Sequence, residues 1–261
     1  MAALEAPSSV IAVTANRQRC RLSGLATTVS VQTMTVAYIK WLALVATAFP
    51  FANAAAASHR HGRHASERHY TVHGIDVSHH QGHIDWEKLP RQGVDFAYIK
   101  ATEGADHADT RFSHNWRAAD AAGVRRGAYH FFTLCRSGRE QAAHFVRNVP
   151  YEAAALPPAV DLEFPGNCKG RPSRAKFHRE LGDFLRIVEA HYGKHAVLYT
   201  TPHFDKRYRV SATFERRLWL RSLGSEPGFG ARRWTIWQSS SSRRLDGVRG
   251  RVDWNVARKP V

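Results

Sequence analysis

Beyond residue 57 the chain has no long apolar run. None approaches the roughly 20 residues that a membrane-spanning helix needs. Cysteine is scarce, with three in 261 residues. Neither Cys135 nor Cys168 has a partner at two-to-four-residue spacing, which argues against a zinc module. A G-x-S-x-G elbow is missing, as is a phosphate-cradling glycine loop, so neither an α/β-hydrolase nor a P-loop enzyme is indicated. There is no internal repeat and no nucleic-acid-binding motif. Acidic residues are outnumbered, 22 against 38 basic ones, for a formal charge of +16.

The N-terminal part has its own pattern. Lys40 precedes the apolar stretch Trp41–Phe51, and Ala52-Asn53-Ala54 offers small residues at cleavage spacing. That is the layout of a secretory signal peptide. Such signals open a chain, so Met34 is expected to be the true start. Residues 34–57 then form the signal and 1–33 a misassigned extension, the alternative being a genuine extension with an internal signal anchor. The expected location is periplasmic or extracellular, without stable membrane insertion after signal cleavage. Residues 58–69 are rich in His and Arg and read as a flexible linker, or as a metal-binding His tract.

Without residues 1–57 the chain keeps 34 basic and 21 acidic residues, a net of +13. A surface so charged attracts polyanions in general. The charges are scattered and no nucleic-acid motif accompanies them. Export favours an anionic cell wall as the partner and nucleic acid is not expected.

From Tyr70 onward, short apolar runs alternate with amphipathic segments. Candidate strands are 72–77, 96–101, 126–132, 159–164, 196–200, 218–220, 234–238 and 251–254. Ala142, Phe145, Val146 and Val149 repeat at helical spacing. So do Phe177, Leu181, Phe184, Leu185 and Val188, in a helix that stops before Gly193. Strands separated by helices imply parallel βαβ units, and the helices fade after Thr200. Residues 70–261 are therefore expected to form a single α/β domain, a modified TIM-type barrel with a degraded last third. Chemistry should sit at the C-terminal mouths of its strands.

Asp161 and Glu163 lie two residues apart in a strongly apolar strand and so project to one face. Like charges held close and away from water cannot both ionise easily, so one carboxyl keeps its proton near neutral pH. A general acid beside a charge-stabilising carboxylate needs that arrangement. The plainer alternative is a strand end with both acids salt-bridged at the surface. Asp76 sits near the end of the first strand, and Asp253 on the last, which in a closed barrel lies beside the first. Lys100 and Glu103 fall at the end of the second. Tyr129, His130, Phe131, Tyr199, Trp237 and Trp254 gather at similar positions, many as core, some as flat surfaces suited to carbohydrate. His79, His80 and His83 near Asp76 raise a metal-dependent barrel hydrolase as a rival, although they lack clean ligand spacing. No metal or cofactor is expected.

These motifs resemble glycoside hydrolase family 25. The likeness runs through Gly74-Ile-Asp-Val-Ser-His-His-Gln-Gly82, Ile84-Asp-Trp86 and Phe96-Ala-Tyr-Ile-Lys-Ala-Thr-Glu-Gly104. It continues through Gly127-Ala-Tyr-His-Phe-Phe132, Ala159-Val-Asp-Leu-Glu163, Leu198-Tyr-Thr200, Leu218-Trp219 and Trp237-Gln238 to Gly250-Arg-Val-Asp-Trp-Asn255. The resemblance implies a (β/α)5β3 barrel and cleavage of the β-1,4 bond between N-acetylmuramic acid and N-acetylglucosamine in peptidoglycan glycan strands, by a monomer. It implies Glu163 as general acid and Asp161 as the ionised partner assisting the substrate's acetamido group. Asp76 and Asp253 would be flanking acids that orient and tune the pair. Lys100, Glu103, Tyr129, Tyr199, Trp237 and Gln238 would contact substrate. Ser239 stands where the family commonly has Tyr, which would alter one cleft wall, and Trp254 stands where a smaller residue is usual. A wall-binding repeat module is absent, and a catalytically idle wall-binding barrel is the second rival.

Barrel geometry makes one further expectation. Cys135 follows the third strand by three residues and Cys168 the fourth by four. Neighbouring parallel strands lie about 4.8 Å apart, so the two thiols are within reach of a disulfide at the catalytic rim.

Overall fold

The computed structural model describes Glu67 and residues 69–261. The readings placed on residues 1–33, 34–57 and most of the 58–69 linker lie outside the described residues.

The sheet contains β1 (Val72–Val77), β2 (Phe96–Glu103), β3 (His107–Ala108), β4 (Arg125–Phe131), β5 (Ala159–Leu162), β6 (Val197–Thr200), β7 (Arg217–Arg221), β8 (Ile236–Arg243) and β9 (Val252–Ala257). The helices are α1 (Phe112–Ala121), α2 (Gly138–Asn148), α3 (Arg174–Tyr192), α4 (Pro202–Tyr208) and α5 (Val210–Thr213). Spatial order is β1-β9-β8-β7-β6-β5-β4-β2, closed by pairing of β1 with β2, while β3 is a two-residue appendage on β2. Eight strands thus close a barrel. Every neighbouring pair is parallel except β8–β9 and β9–β1.

The expected (β/α)5β3 plan is present, with a local difference at its start. Between β1 and β2 the crossover is made of three 3-10 turns, His79–Gln81, Trp86–Lys88 and Pro90–Gln92, rather than an α-helix. The anticipated helices form for legible reasons. In α2 the Ser137 side chain accepts from the Glu140 amide, and the Glu140 carboxylate accepts from that of Ser137, a reciprocal cap. In α3, Ser173 caps the start and Gly193, at φ 63°, ends the helix in a conformation that favours glycine.

The last two strands depart from expectation. β8 runs on to Arg243 and β9 to Ala257, because they form an antiparallel pair carrying the polar run Ser239–Ser242. An apolar pattern does not mark such residues.

Strand alternation divides the core. Phe96, Tyr98, Val197, Tyr199, Trp219 and Ile236 pack inside the barrel. Val160, Leu162, Leu198, Leu218 and Leu220 point outward against Phe177, Leu181 and Phe184 of α3 and their neighbours. Two glycines let the inner aromatics fit. A Cβ on Gly74 would stand 2.6 Å from the Phe96 ring, and one on Gly127 would stand 2.5 Å from that of Tyr98. Cys135 and Cys168 are bonded, with Cα atoms 6.0 Å apart, tying the loops that follow β4 and β5.

Candidate active site

Outward-facing Val160 and Leu162 are fully buried, so alternation turns Asp161 and the following Glu163 toward the barrel mouth. Both line a cleft of about 950 Å³, together with Asp76 and Asp253. Asp76 and Asp253 are directly opposite each other in the β1–β9 ladder. Because β9 runs antiparallel, it delivers Asp253 from its N-terminal end. The expectation that chemistry lies at C-terminal strand ends is corrected for this one strand.

The aromatic wall is built by Tyr129, Tyr199 and Trp219, with Phe164, Pro165, His203 and Leu223 further along the cleft. A hydrogen-bonded chain connects several of these groups. The Trp219 indole donates to Asn255 Oδ1 at 2.8 Å, and Asn255 Nδ2 donates to Asp76 Oδ2 at 2.8 Å. Gln238 Nε2 donates to the same Asp76 oxygen at 3.0 Å, and the Tyr199 hydroxyl donates to Gln238 Oε1 at 3.1 Å. Each side chain in the chain is thereby fixed by another.

All four carboxyls hold protons more tightly than usual. Burial raises Asp161 well above the ordinary range, and the charges of Glu163 and Asp76 push the same way. Burial lifts Glu163 to about 7, against the lowering effect of Arg221. Burial and the neighbouring Asp76 lift Asp253 to about 8. Asp76 is raised less freely, since the donors on Asn255 and Gln238 favour its charged form. Four acids in one poorly solvated cleft titrate as a group. Asp161 Oδ1 is buried and has no hydrogen-bond partner among the described residues.

The remaining expectations separate. Tyr129, Tyr199 and Gln238 line the cleft. Lys100 and Glu103 form an ion pair at 2.6 Å, with the Lys100 ammonium also 5.2 Å from the centre of the Phe131 ring. They stand beside the acids rather than in the cleft wall, and the charge of Lys100 bears on Asp161 and Glu163. Trp237 is not in the cleft wall. Its ring is fully buried in the outer core, with Nε1 donating to the Ser222 carbonyl at 2.6 Å. Alternation explains this, because Gln238 takes the inward position. Ser239 likewise faces away, buried with its hydroxyl 3.4 Å from the Trp254 carbonyl, so the residue at 239 does not alter a cleft wall. Trp254 packs on the barrel's outer side between His73 and Arg243. His130 is buried beneath the rim, held by Thr102 and Gln141.

The histidine cluster behaves as rim structure. His79 Nδ1 lies 2.8 Å from Asp109, whose carboxylate also accepts from the His79 amide. His80 lines the cleft, and His83 sits beside His114. Among the described residues no three His, Cys, Asp or Glu side chains converge as a metal-ion group.

Among the site residues given no role from sequence are Trp219, Arg221 and Asn255, although Trp219 and Asn255 fall within the motifs that resemble family 25. Trp219 and Arg221 share the inward phase of a five-residue strand. Asn255 lies across the β8–β9 ladder from Gln238. A strand pattern could mark their phase but not their partners.

Comparison with known proteins agrees with this geometry. The sequence pattern of Glycosyl hydrolases family 25 matches residues 75–248. Lysozyme M1 of Streptomyces globisporus is 37% identical over 198 residues, 70% of this chain and 67% of that protein. A family 25 glycosyl hydrolase from Bacillus anthracis superposes with a TM-score of 0.69 at 37% identity, over 74% of this chain and 91% of the other. A bacterial lysozyme from Streptomyces coelicolor gives 0.66 at 35% identity, over 72% and 92%. With its barrel and two thirds of its length in accord, the chain belongs to glycosyl hydrolase family 25.

Proposed function

We propose that this chain is an exported, monomeric N-acetylmuramidase that hydrolyses the β-1,4 bond between N-acetylmuramic acid and N-acetylglucosamine in peptidoglycan. The observation that carries the reading is the pair Asp161–Glu163, both partly buried in the cleft wall, with Glu163 proton-holding near neutrality and Asp161 raised by burial and by the charge of Glu163. Membership of family 25 and likeness to a protein named lysozyme support the choice of substrate. Among the described residues no helix is long and apolar enough to cross a membrane.

Glu163, protonated at about pH 7, gives its proton to the glycosidic oxygen as the bond to C1 breaks. The substrate's 2-acetamido carbonyl oxygen attacks C1 on the opposite face, forming a cyclic cation. That is one of the recognised departures from a carboxylate nucleophile. The carboxyl of Asp161, which lines the cleft, accepts the acetamido N–H. A hydrogen bond to a carboxylate favours its ionised form, so substrate binding draws Asp161 toward the charged state in which it steadies the cation. Water then opens the ring, and Glu163 takes its proton. Asp76, whose charged form is favoured by the Asn255 and Gln238 donors, places negative potential beside the developing charge, with the protonated Asp253 opposite it.

The test is digestion of purified peptidoglycan with mass analysis of the new reducing ends. Muramic acid at those ends is the expected result. N-acetylglucosamine ends, or release of peptides alone, would overturn the bond assignment.

A further inference from the structure

Arg221 stands in the cleft without a partner. It lies two residues beyond Trp219 on β7, so alternation points it into the barrel mouth, where it lines the cleft with Asp76, Glu163 and Asp253. No other lysine or arginine lines that cleft among the described residues. Its guanidinium is partly buried, and among the described residues it makes no hydrogen bond or ion pair. Two other sequestered arginines are paired. Arg126 is held by Asp120 and Glu152, and Arg216 grips Glu189 at 2.6 and 2.8 Å.

Its donors are not sealed off from the cleft, so they are open to a group on the substrate. The nearby acids do not fill them, since none comes within hydrogen-bond distance of Arg221. The planar fork of an arginine fits a carboxylate in two-point contact. On the muramidase reading, on which this inference rests, the substrate offers such a group. Each muramic acid bears a 3-O-lactyl arm that ends in a free carboxylate or continues into a stem peptide with carboxylates of its own.

We propose that Arg221 is a specificity-determining residue that receives a carboxylate carried on the lactyl arm of the substrate. Its occupation also draws its charge away from Glu163, whose proton it otherwise loosens. Binding of the acidic arm and readiness of the general acid are thereby linked.

Two matched pairs of soluble glycan strands test this. One pair carries intact stem peptides, with stem carboxylates either free or converted to methylamides. The other pair has been stripped of peptide, with lactyl carboxylates either free or methylamidated. The full chain is expected to show kcat/KM about tenfold or more higher on the charged member of at least one pair, chiefly through KM, as a charge-assisted contact implies. Preference within the stripped pair assigns the lactyl carboxylate, and preference within the stem pair alone assigns a stem carboxylate. Arg221→Gln should erase the preference and Arg221→Lys should restore part of it. Equal cleavage of charged and neutral members, or an Arg221→Gln loss of the same size on all four substrates, would overturn the assignment. Cleavage of none of the four by the unaltered protein would overturn the muramidase reading, and this inference with it.

Discussion

Asn255 on β9 and Asp76 on β1 are joined by a 2.8 Å hydrogen bond from Nδ2 to Oδ2, and the Asn255 carbonyl oxygen accepts from the Trp219 indole on the far side. One amide therefore orients an acid and an aromatic wall at once. Asn255→Ala would leave a buried indole N–H unpaired and Asp76 with Gln238 alone. A loss of about 1–3 kcal/mol in unfolding free energy is expected from the orphaned donor, with hydrolysis of peptidoglycan reduced as well. Urea denaturation curves that overlay those of the unaltered protein would remove the network from the stability of the fold.

Glu163→Gln should lower the hydrolysis rate by about 10²–10⁴-fold, the usual contribution of a positioned general acid. The fold should persist, since the amide replaces a carboxyl held protonated by burial. The unaltered protein should lose activity as pH rises through about 7, where Glu163 gives up its proton. A rate on purified walls unaffected by the substitution would reassign the acid.

Asp161→Asn should be severely impaired for a different reason. The amide keeps the shape but lacks the charge that steadies the acetamido-derived cation, and it presents an N–H where an acceptor is needed. The loss should appear in kcat more than in KM, because the charge matters most in the transition state. Turnover equal to that of the unaltered protein across the pH range would take Asp161 out of the mechanism.

Stability should depend on pH in a direction set by the raised carboxyls. Asp253 is held at about 8 and Glu163 at about 7, against ordinary values of 3.8 and 4.5. The folded chain keeps protons that the unfolded chain releases. These groups therefore favour folding fully below about pH 4, and that contribution is lost as pH rises toward about 8. Asp253→Asn removes one of them, so its Tm should exceed that of the unaltered protein at pH 8 and converge with it at pH 4. A Tm difference that is constant with pH, read by calorimetry, would contradict the raised value.

The Cys135–Cys168 bond spans 33 residues of sequence. Closing a loop of that size stabilises by about 3–4 kcal/mol in the chain-entropy model. Paired Cys135→Ser and Cys168→Ser substitution should lower the unfolding free energy by about that amount. Thiol titration of unreduced, denatured protein lacking residues 1–57 should find no free thiol, and finding two per chain would refute the bond.

How much of this was legible in the chain can be argued from particular residues. The alternation around Asp161 and Glu163 determined that both acids share a face. The helical repeats through Ala142–Val149 and Phe177–Val188, with the stop at Gly193, determined where crossovers lie and hence that neighbouring strands run parallel. The same order placed Cys135 and Cys168 on adjacent loops. These features are local, fixed by two- and 3.6-residue periods and by cap chemistry. Tertiary structure alone decided the rest. Trp237 and Gln238 are adjacent in sequence, and both are expected in the cleft, yet only the closed barrel tells which one faces inward. The reversal of β9 is a matter of long-range pairing, and it is what sets Asp253 against Asp76. Asn255 gained its role from partners on two other strands, 36 and 179 residues away. The lifted proton affinities of the four acids arise because strands far apart in the chain bring like charges into one poorly solvated cleft, a property of enclosure that no stretch of sequence carries by itself.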